Sequence, residues 1–99
     1  MTTIFVSHKV RDYEEWKVGY NADEERRQEI GLTEAGHFHS SDDRNNFLIV
    51  WNTQLNPSDA EALVSGMFNN PELEALMEEA GVIEKPTFWV ALFHRNTNS

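Results

Sequence analysis

Hydrophobic and polar residues alternate in four short stretches of the chain, and this pattern predicts β-strands. In the first stretch, the side that carries His8 is otherwise apolar. Six polar residues, 41–46, separate the second stretch from the third and indicate a hairpin loop. The four predicted strands are Ile4 to Val10, Ala35 to Ser41, Phe47 to Thr53 and Thr87 to His94.

The segment after the first strand predicts one amphipathic helix. Asp12 followed by Glu15 is a capping box, which marks the start of the helix. Gly31 suits the left-handed residue that ends a helix, with Leu32 packing behind it. The helix is therefore expected to run without interruption from Asp12 to Gly31.

One stripe of this first helix is aromatic. It carries Tyr13, Trp16 and Tyr20, which are expected to pack towards the sheet. Glu24 and Arg27 lie at angles close to the same stripe. We expect these two at a solvated helix edge, with charge pairing at the rim of a cavity as the alternative.

A second helical region lies between the third and fourth strands, in two pieces. Asn56 and Pro57 suit the start of the first piece, and both pieces repeat apolar residues at i, i+3, i+4 and i+7. Pro71 disfavours helical geometry at the residue before it, so the region is expected to break at Asn69 to Pro71. Gly81 closes the second piece.

The order β-α-β-β-α-β predicts an α+β fold, the ferredoxin-like plait with a four-stranded antiparallel sheet. Right-handed crossovers place both helical regions on one face of that sheet. No linker or repeat divides the sequence. Residues 1–99 are therefore expected to form a single domain, with 95–99 as a frayed polar tail.

Both faces of the third and fourth predicted strands are apolar. In the fourth strand, for example, Trp89 lies on one face and Val90 on the other. An antiparallel sheet with one wet face shows clean alternation, which these strands lack. Because the helices cover only one face, the other face requires a partner, and a second copy of the chain is the simplest one. The sequence therefore predicts a homodimer.

Composition excludes several classes of function. The 99 residues include 17 Asp and Glu against 8 Lys and Arg, a net charge of −9, and nucleic-acid binding needs clustered basic side chains instead. The absence of Cys excludes disulfide frameworks, zinc ribbons and thiol catalysis. The apolar runs are too short for a membrane span, and the start of the chain lacks the pattern of a secretory signal. We expect a cytoplasmic protein with no nucleic-acid or membrane partner.

Histidines are the side chains that titrate near neutral pH, and three of the four lie in the first two predicted strands. His37 and His39 point to the same face, but a metal needs a third ligand; a surface or interface pair is preferred, and no metal site is predicted. His8 lies on an apolar strand face, where a hydrogen-bonded core histidine is commoner than the acid/base of a pocket. Both interpretations of His8 stay open, because the sequence does not show which sheet face it occupies.

Four segments of the sequence resemble a family of small bacterial proteins, the dimeric α/β-barrel proteins, near the antibiotic-biosynthesis-monooxygenase and polyketide-cyclase-like groups. The stretch from Pro71 to Val82 is the most specific part, and it is a packing motif rather than a catalytic one. The four segments are HKVRDYEEW (8–16), the helix end from Arg27 to Gly31, HSSDD (39–43) and NNPELEALMEEAGVIEKPTF (69–88).

This resemblance implies that two plaits pack sheet to sheet as a barrel, with a pocket in each subunit between sheet and helices. Known activities on this fold include cofactor-free oxygenation of aromatic polyketides and cyclisation, so the fold alone does not assign a reaction. We expect a small aromatic or apolar ligand and a cofactor-independent monooxygenase of a phenolic or polyketide-like compound. A non-catalytic binding or structural homodimer, and a cyclase or isomerase using the same pocket, are the alternatives.

Within such a pocket His8 is the acid/base candidate, because a phenolic substrate must lose a proton before it gives an electron to oxygen. No metal or other cofactor is expected to take part. The residues expected to orient the substrate or to line the walls are aromatic or large and apolar: Trp16, Tyr20, Trp51, Met67, Phe68 and Trp89.

Overall fold

The sheet is four-stranded and antiparallel, with strand order β2-β3-β1-β4. A computed structural model describes residues 1–93, so His94 and the predicted tail 95–99 lie outside the described residues. This order is that of the ferredoxin-like plait, and the predicted α+β fold is confirmed. The elements are β1 (Thr2–Lys9), α1 (Tyr13–Ala22), α2 (Glu24–Glu29), β2 (Thr33–His39), β3 (Asn46–Thr53), α3 (Pro57–Phe68), α4 (Pro71–Glu79) and β4 (Thr87–Leu92).

Strand register decides which sheet face packs against the helices. His8 of β1 pairs with Phe47 of β3, and Ile4 pairs with Trp51. Residues paired across two strands point to the same side of the sheet. Ile4, Phe47 and Trp51 belong to the buried core, so this side is the helix-facing one, and His8 lies on it with 5% of its surface exposed. The structure thus shows which sheet face His8 occupies, which the sequence left open.

The opposite sheet face, called here the outer face, carries apolar side chains without a helical layer above them. Trp89 is 70% exposed and Phe38 is 59% exposed. The Phe5 and Trp89 rings lie 5.9 Å apart on neighbouring strands. The prediction that β3 and β4 are apolar on both faces is therefore confirmed. Together, the outer-face apolar residues are Phe5, Phe38, Leu48, Val50, Trp89 and Ala91.

The first helical region is not the single helix that the sequence predicts, because it breaks at Asp23 into α1 and α2. The break contains neither Pro nor Gly and is held by side chains. The Asp23 carboxylate accepts hydrogen bonds from Arg26 at 2.6, 2.9 and 3.0 Å. Arg27 Nη1 donates to the carbonyl oxygen of Tyr20 at 2.7 Å. Arg27 is buried, so the expected position at a solvated edge is wrong for this residue.

Side-chain caps start the other helices much as the sequence indicates. Asn56 accepts a hydrogen bond from the Asp59 backbone amide, and Asn70 starts α4 after the predicted break, which is confirmed. At α1 the prediction of a reciprocal capping box is wrong in detail. Asp12 accepts from the amide of Glu14, and the Glu15 side chain bonds Arg11 instead of reaching back.

Gly31 ends α2 in a left-handed conformation with φ +92°. The amides of Gly31 and Leu32 donate to the carbonyls of Gln28 and Arg27 at 3.0 and 2.9 Å, the two bonds of a Schellman motif. Gly31→Ala is expected to lower the free energy of unfolding by about 1–2 kcal/mol, because a Cβ is strained at this φ.

The matched control for this substitution is Gly66→Ala in the interior of α3, where open space surrounds the Cβ position. It is expected to raise the free energy of unfolding by about 0.5–1 kcal/mol. Urea denaturation of both variants measures the two changes. Changes of the same sign would contradict the helix-ending role of Gly31.

Candidate functional site

A cavity of about 570 Å³ lies between the sheet and the helices. This volume is in the range of small-molecule binding sites. The sheet contributes His8 and Trp51, and α4 contributes apolar side chains such as Leu73 and Met77. Six of the seven side chains expected at the site line this cavity: His8, Trp16, Tyr20, Trp51, Met67 and Phe68.

Trp89, the seventh expected residue, does not line the cavity. Its neighbours on β4, Phe88 and Val90, pair with Val6 and Ile4 and therefore share the helix-facing side. Strand alternation then places Trp89 on the outer face, where it contacts Phe5. The expectation that Trp89 binds substrate in this pocket is corrected accordingly.

His8 lies among aromatic rings at the sheet side of the cavity. Its ring stacks on Phe47 with centroids 5.4 Å apart, and the Trp16 ring lies at 5.3 Å. The Nδ1 atom is buried and has no hydrogen-bond partner within residues 1–93. Burial, and to a smaller degree the nearby His37, lower the pKa of His8 from 6.5 to about 4. His8 is therefore a neutral imidazole at physiological pH, and the hydrogen-bonded core histidine expected as the commoner case is not what the structure shows.

One wall of the cavity is a stack of two aromatic rings and a guanidinium group. The Trp16 and Tyr20 rings stack at 4.7 Å, and Arg27 Cζ lies 3.5 Å from the centroid of Tyr20. The Tyr20 hydroxyl accepts a hydrogen bond from Trp51 Nε1 at 3.0 Å and donates one to Glu34 at 2.9 Å. Burial raises the pKa of Tyr20, so its hydroxyl stays protonated.

Two parts of the cavity could not be assigned from the sequence. Arg27 is only 6% exposed, although its charge led us to expect a solvated helix edge. Leu76 of α4 lines the open side of the cavity and is 60% exposed. The regular apolar spacing of α4 is the sequence signal for this second feature, but it equally fits a helix packed fully on the sheet.

The His37 and His39 pair lies beside the cavity rather than in its lining. His37 Nδ1 is 3.3 Å from Glu34, and His39 Nδ1 is 2.8 Å from the carbonyl of Arg44. The His39 ring also meets Tyr13 edge to face at 4.3 Å. Within residues 1–93 no three His, Asp or Glu side chains are grouped as metal ligands would be.

No helix within residues 1–93 has both the length and the apolar character required to cross a membrane.

Comparison of the sequence with models of known protein families and with characterised proteins gives no match. Solved structures do match. An antibiotic biosynthesis monooxygenase has a TM-score of 0.62 at 13% identity, covering 96% of this chain and 100% of that chain. An uncharacterised NIPSNAP domain protein from Burkholderia xenovorans has a TM-score of 0.63 at 11% identity, covering 95% of both chains.

A third match is a dimeric ferredoxin-like protein from an uncultured marine organism, with a TM-score of 0.59 at 7% identity, covering 97% of both chains. The chain shares their fold. At the level of the fold, the resemblance to ferredoxin-like and monooxygenase-like proteins expected from the sequence segments is confirmed. Identities this low show a shared fold alone, so the reaction has to be argued from the site.

Proposed function

We propose that this chain binds a planar phenolic or polyketide-like molecule in the cavity and oxygenates it without a metal or organic cofactor. The observation that carries the proposal is the neutral, buried imidazole of His8 at the base of an aromatic-lined cavity of about 570 Å³. The name of one structural relative, an antibiotic biosynthesis monooxygenase, supports the choice of reaction.

The cavity walls suit a flat, mainly apolar ligand. Trp16, Tyr20 and Trp51 contribute aromatic surface to the walls, Tyr20 by its edge, and Met67 and Leu73 supply adaptable apolar contacts. The aromatic walls set the plane of the ligand ring, and the few polar groups set the positions of its polar substituents. In this proposal, Trp16 and Tyr20 orient the ring of the substrate.

His8 is the base in the proposed reaction, because the other ionisable groups of the lining are committed elsewhere or, as for Glu72, exposed to solvent. Tyr20 is protonated, and Arg26 holds the pKa of Asp23 below its usual range. His8 Nδ1 is sealed among aromatic rings, so Nε2 takes the phenolic proton. The oxyanion that forms raises the pKa of His8, since an adjacent negative charge favours the imidazolium.

Oxygen then accepts one electron from the substrate anion. The phenoxyl radical and superoxide combine to a peroxide, which takes the proton back from His8. Loss of water from this hydroperoxide gives a quinone, so one phenol and one O₂ yield one quinone and one water. The protein supplies the proton acceptor and a cavity that orders the substrate. No step requires a bound metal or an external reductant.

The proposal is tested with 1-naphthol and 9-anthrone, following binding by quenching of Trp fluorescence and turnover by O₂ uptake. His8→Phe keeps the packing with Trp16 and Phe47, so the Kd is expected to change less than about threefold while turnover falls by about 100-fold or more. His39→Phe, outside the cavity lining, is the matched control and is expected to keep both. Binding without O₂ uptake would contradict the oxygenase, and no binding of either probe would contradict the ligand site.

The chain is also proposed to be a homodimer formed through the outer face. A second copy offers the same apolar strip, which includes Phe5, Phe38 and Trp89, so a twofold axis would bury two exposed aromatic surfaces against each other. One structural relative is described as dimeric, which supports this partner. We also propose that the protein is cytoplasmic.

A non-catalytic ligand-binding dimer is the second candidate function. The pKa of about 4 for His8 favours it, because a base that weak gains little from accepting a phenolic proton in the empty cavity. Both candidates use the same cavity, and O₂ uptake distinguishes them. A cyclase or isomerase would convert the substrate without consuming O₂.

A further inference from the structure

Arg27 is a buried positive charge in the cavity lining. It is 6% exposed and lines the cavity, and its guanidinium lies 3.5 Å from the centroid of the Tyr20 ring. Its Nη1 donates to the Tyr20 carbonyl at 2.7 Å, a neutral acceptor. Within residues 1–93, no carboxylate forms an ion pair with it, because Asp23, four residues earlier, is bonded to Arg26.

A buried guanidinium without a counter-ion is costly, since burial removes hydration that only a paired anion or several hydrogen bonds can replace. Arg carries five N–H donors in a planar fork that matches a carboxylate. The bond to the Tyr20 carbonyl uses one of these donors. The remaining nitrogen atoms of Arg27 are not among the sealed, unpartnered atoms, so they face the open space of the cavity and are available to an anion.

We propose that the cavity selects aromatic carboxylic acids and that Arg27 binds the carboxylate of the ligand as an ion pair. This inference rests on the proposed function, of which it specifies the substrate class: a planar, hydroxylated aromatic acid. Its ring lies against the wall formed by Trp16 and Tyr20, and its carboxylate meets Arg27. Stacking on Tyr20 fixes the plane of the guanidinium before the ligand arrives, which reduces the entropy lost on binding.

The other charges of the lining do not replace Arg27 in this role. Arg26 is occupied by Asp23, and both lie on the same turn at the start of α2. Glu72 lines the cavity from α4, where it is exposed to solvent, so its repulsion of an anion is screened. Arg27 is the buried cation that the described part of the lining leaves without an ion pair.

A purely structural role for Arg27 is the competing explanation. The bond to the Tyr20 carbonyl caps the end of α1, where a cation also interacts favourably with the helix dipole. Such a role predicts a loss of stability in Arg27 variants but no preference for acids over neutral ligands. The ligand preference therefore separates the two explanations.

The test compares 2-naphthoate with methyl 2-naphthoate, a neutral twin of similar shape, using Trp fluorescence quenching and calorimetry. The wild type is expected to bind the acid about 10- to 100-fold more tightly than the ester, the effect of a charge-assisted pair. In Arg27→Gln this preference is expected to disappear, with the Kd of the ester changed less than about threefold. Arg27→Lys keeps the charge but loses the fork and should retain part of the preference.

Arg44→Gln is the matched control, because Arg44 is exposed on the hairpin, bonded to Glu14, and outside the cavity lining. It is expected to keep the full preference for the acid. If Arg27→Gln does not fold, the comparison of acid and ester in the wild type decides the matter by itself. Equal affinity of the wild type for the acid and the ester overturns the inference.

Failure of this inference is distinguishable from failure of the proposed function. Binding and oxygenation of 1-naphthol without any acid preference would overturn the role of Arg27 alone. Absence of binding for 1-naphthol and both naphthoate probes would overturn the ligand site and the inference together.

Discussion

Trp89→Glu is expected to convert the proposed homodimer into a monomer. The twofold axis would place two unpaired carboxylates in one apolar interface, and each costs several kcal/mol of desolvation. The dimer dissociation constant is therefore expected to rise by about a thousandfold or more. Sedimentation at micromolar concentration should report about twice the 11.4 kDa chain mass for the wild type and a single chain mass for the variant.

Val18→Glu is the matched control for this prediction. Val18 is 71% exposed on α1, so the same charge is introduced at an equally exposed apolar position on the helical side of the sheet. It is expected to leave the mass in solution unchanged. A monomeric wild type, or a Trp89→Glu protein that stays dimeric, would show that the outer face is not the interface.

Acidification is expected to destabilise the wild type more than His8→Phe. The pKa of His8 is about 4 in the folded protein against 6.5 for an ordinary histidine. Between these values the unfolded chain binds a proton that the folded chain does not, so the free energy of unfolding decreases as the pH falls from 6.5 to 4. The loss is complete below pH 4, and it amounts to about 3 kcal/mol relative to the variant.

Urea unfolding at pH 7, 5.5 and 4, at one protomer concentration, measures this difference. The lowered pKa values of Glu14 and Asp23 also reduce stability in acid, but they contribute to both proteins and cancel in the comparison. His39→Phe removes an exposed imidazole and is expected to keep the wild-type pH profile. Parallel pH profiles for the wild type and His8→Phe would refute the buried, neutral state of His8.

The same property of His8 bears on the proposed reaction. Above about pH 5 the imidazole of the empty cavity is neutral and its base form is fully available. A substrate oxyanion beside it raises the pKa of His8, so binding and proton transfer support each other. Arg27 acts on the same ligand from another part of the lining in our proposal, where its positive charge stabilises a carboxylate rather than the developing oxyanion.

Local sequence signals predicted the elements whose ends are chemically distinctive. Gly31 and Gly81 end helices at φ +92° and +93°, which only glycine adopts without strain. Pro71 divides the second helical region where the sequence indicates, because the residue before a proline avoids helical geometry. These rules act within a few residues, so the chain sequence is sufficient to apply them.

The break at Asp23 has no such local signal and could not be predicted. It is held by Arg26 bonding Asp23 and Arg27 bonding the Tyr20 carbonyl, pairs that an unbroken helix also brings near each other, so the residue types alone do not reveal the break. The solvated position expected for Arg27 was wrong for a different reason, because the fold buries a charged side chain. An uninterrupted 3.6-residue period already places Arg27, seven residues after Tyr20, close to the aromatic stripe, and only its charge favoured a solvated position.

The sequence by itself determined the order of the elements, the two apolar faces of β3 and β4, and the aromatic stripe of α1, because side-chain periodicity records them directly. Tertiary structure decided which of the two apolar faces meets the helices. That choice placed His8 and Trp51 at the cavity and Trp89 on the outer face. When both faces of a strand are apolar, periodicity shows which residues share a face but not which face meets the helices. Only packing against the rest of the chain decides that.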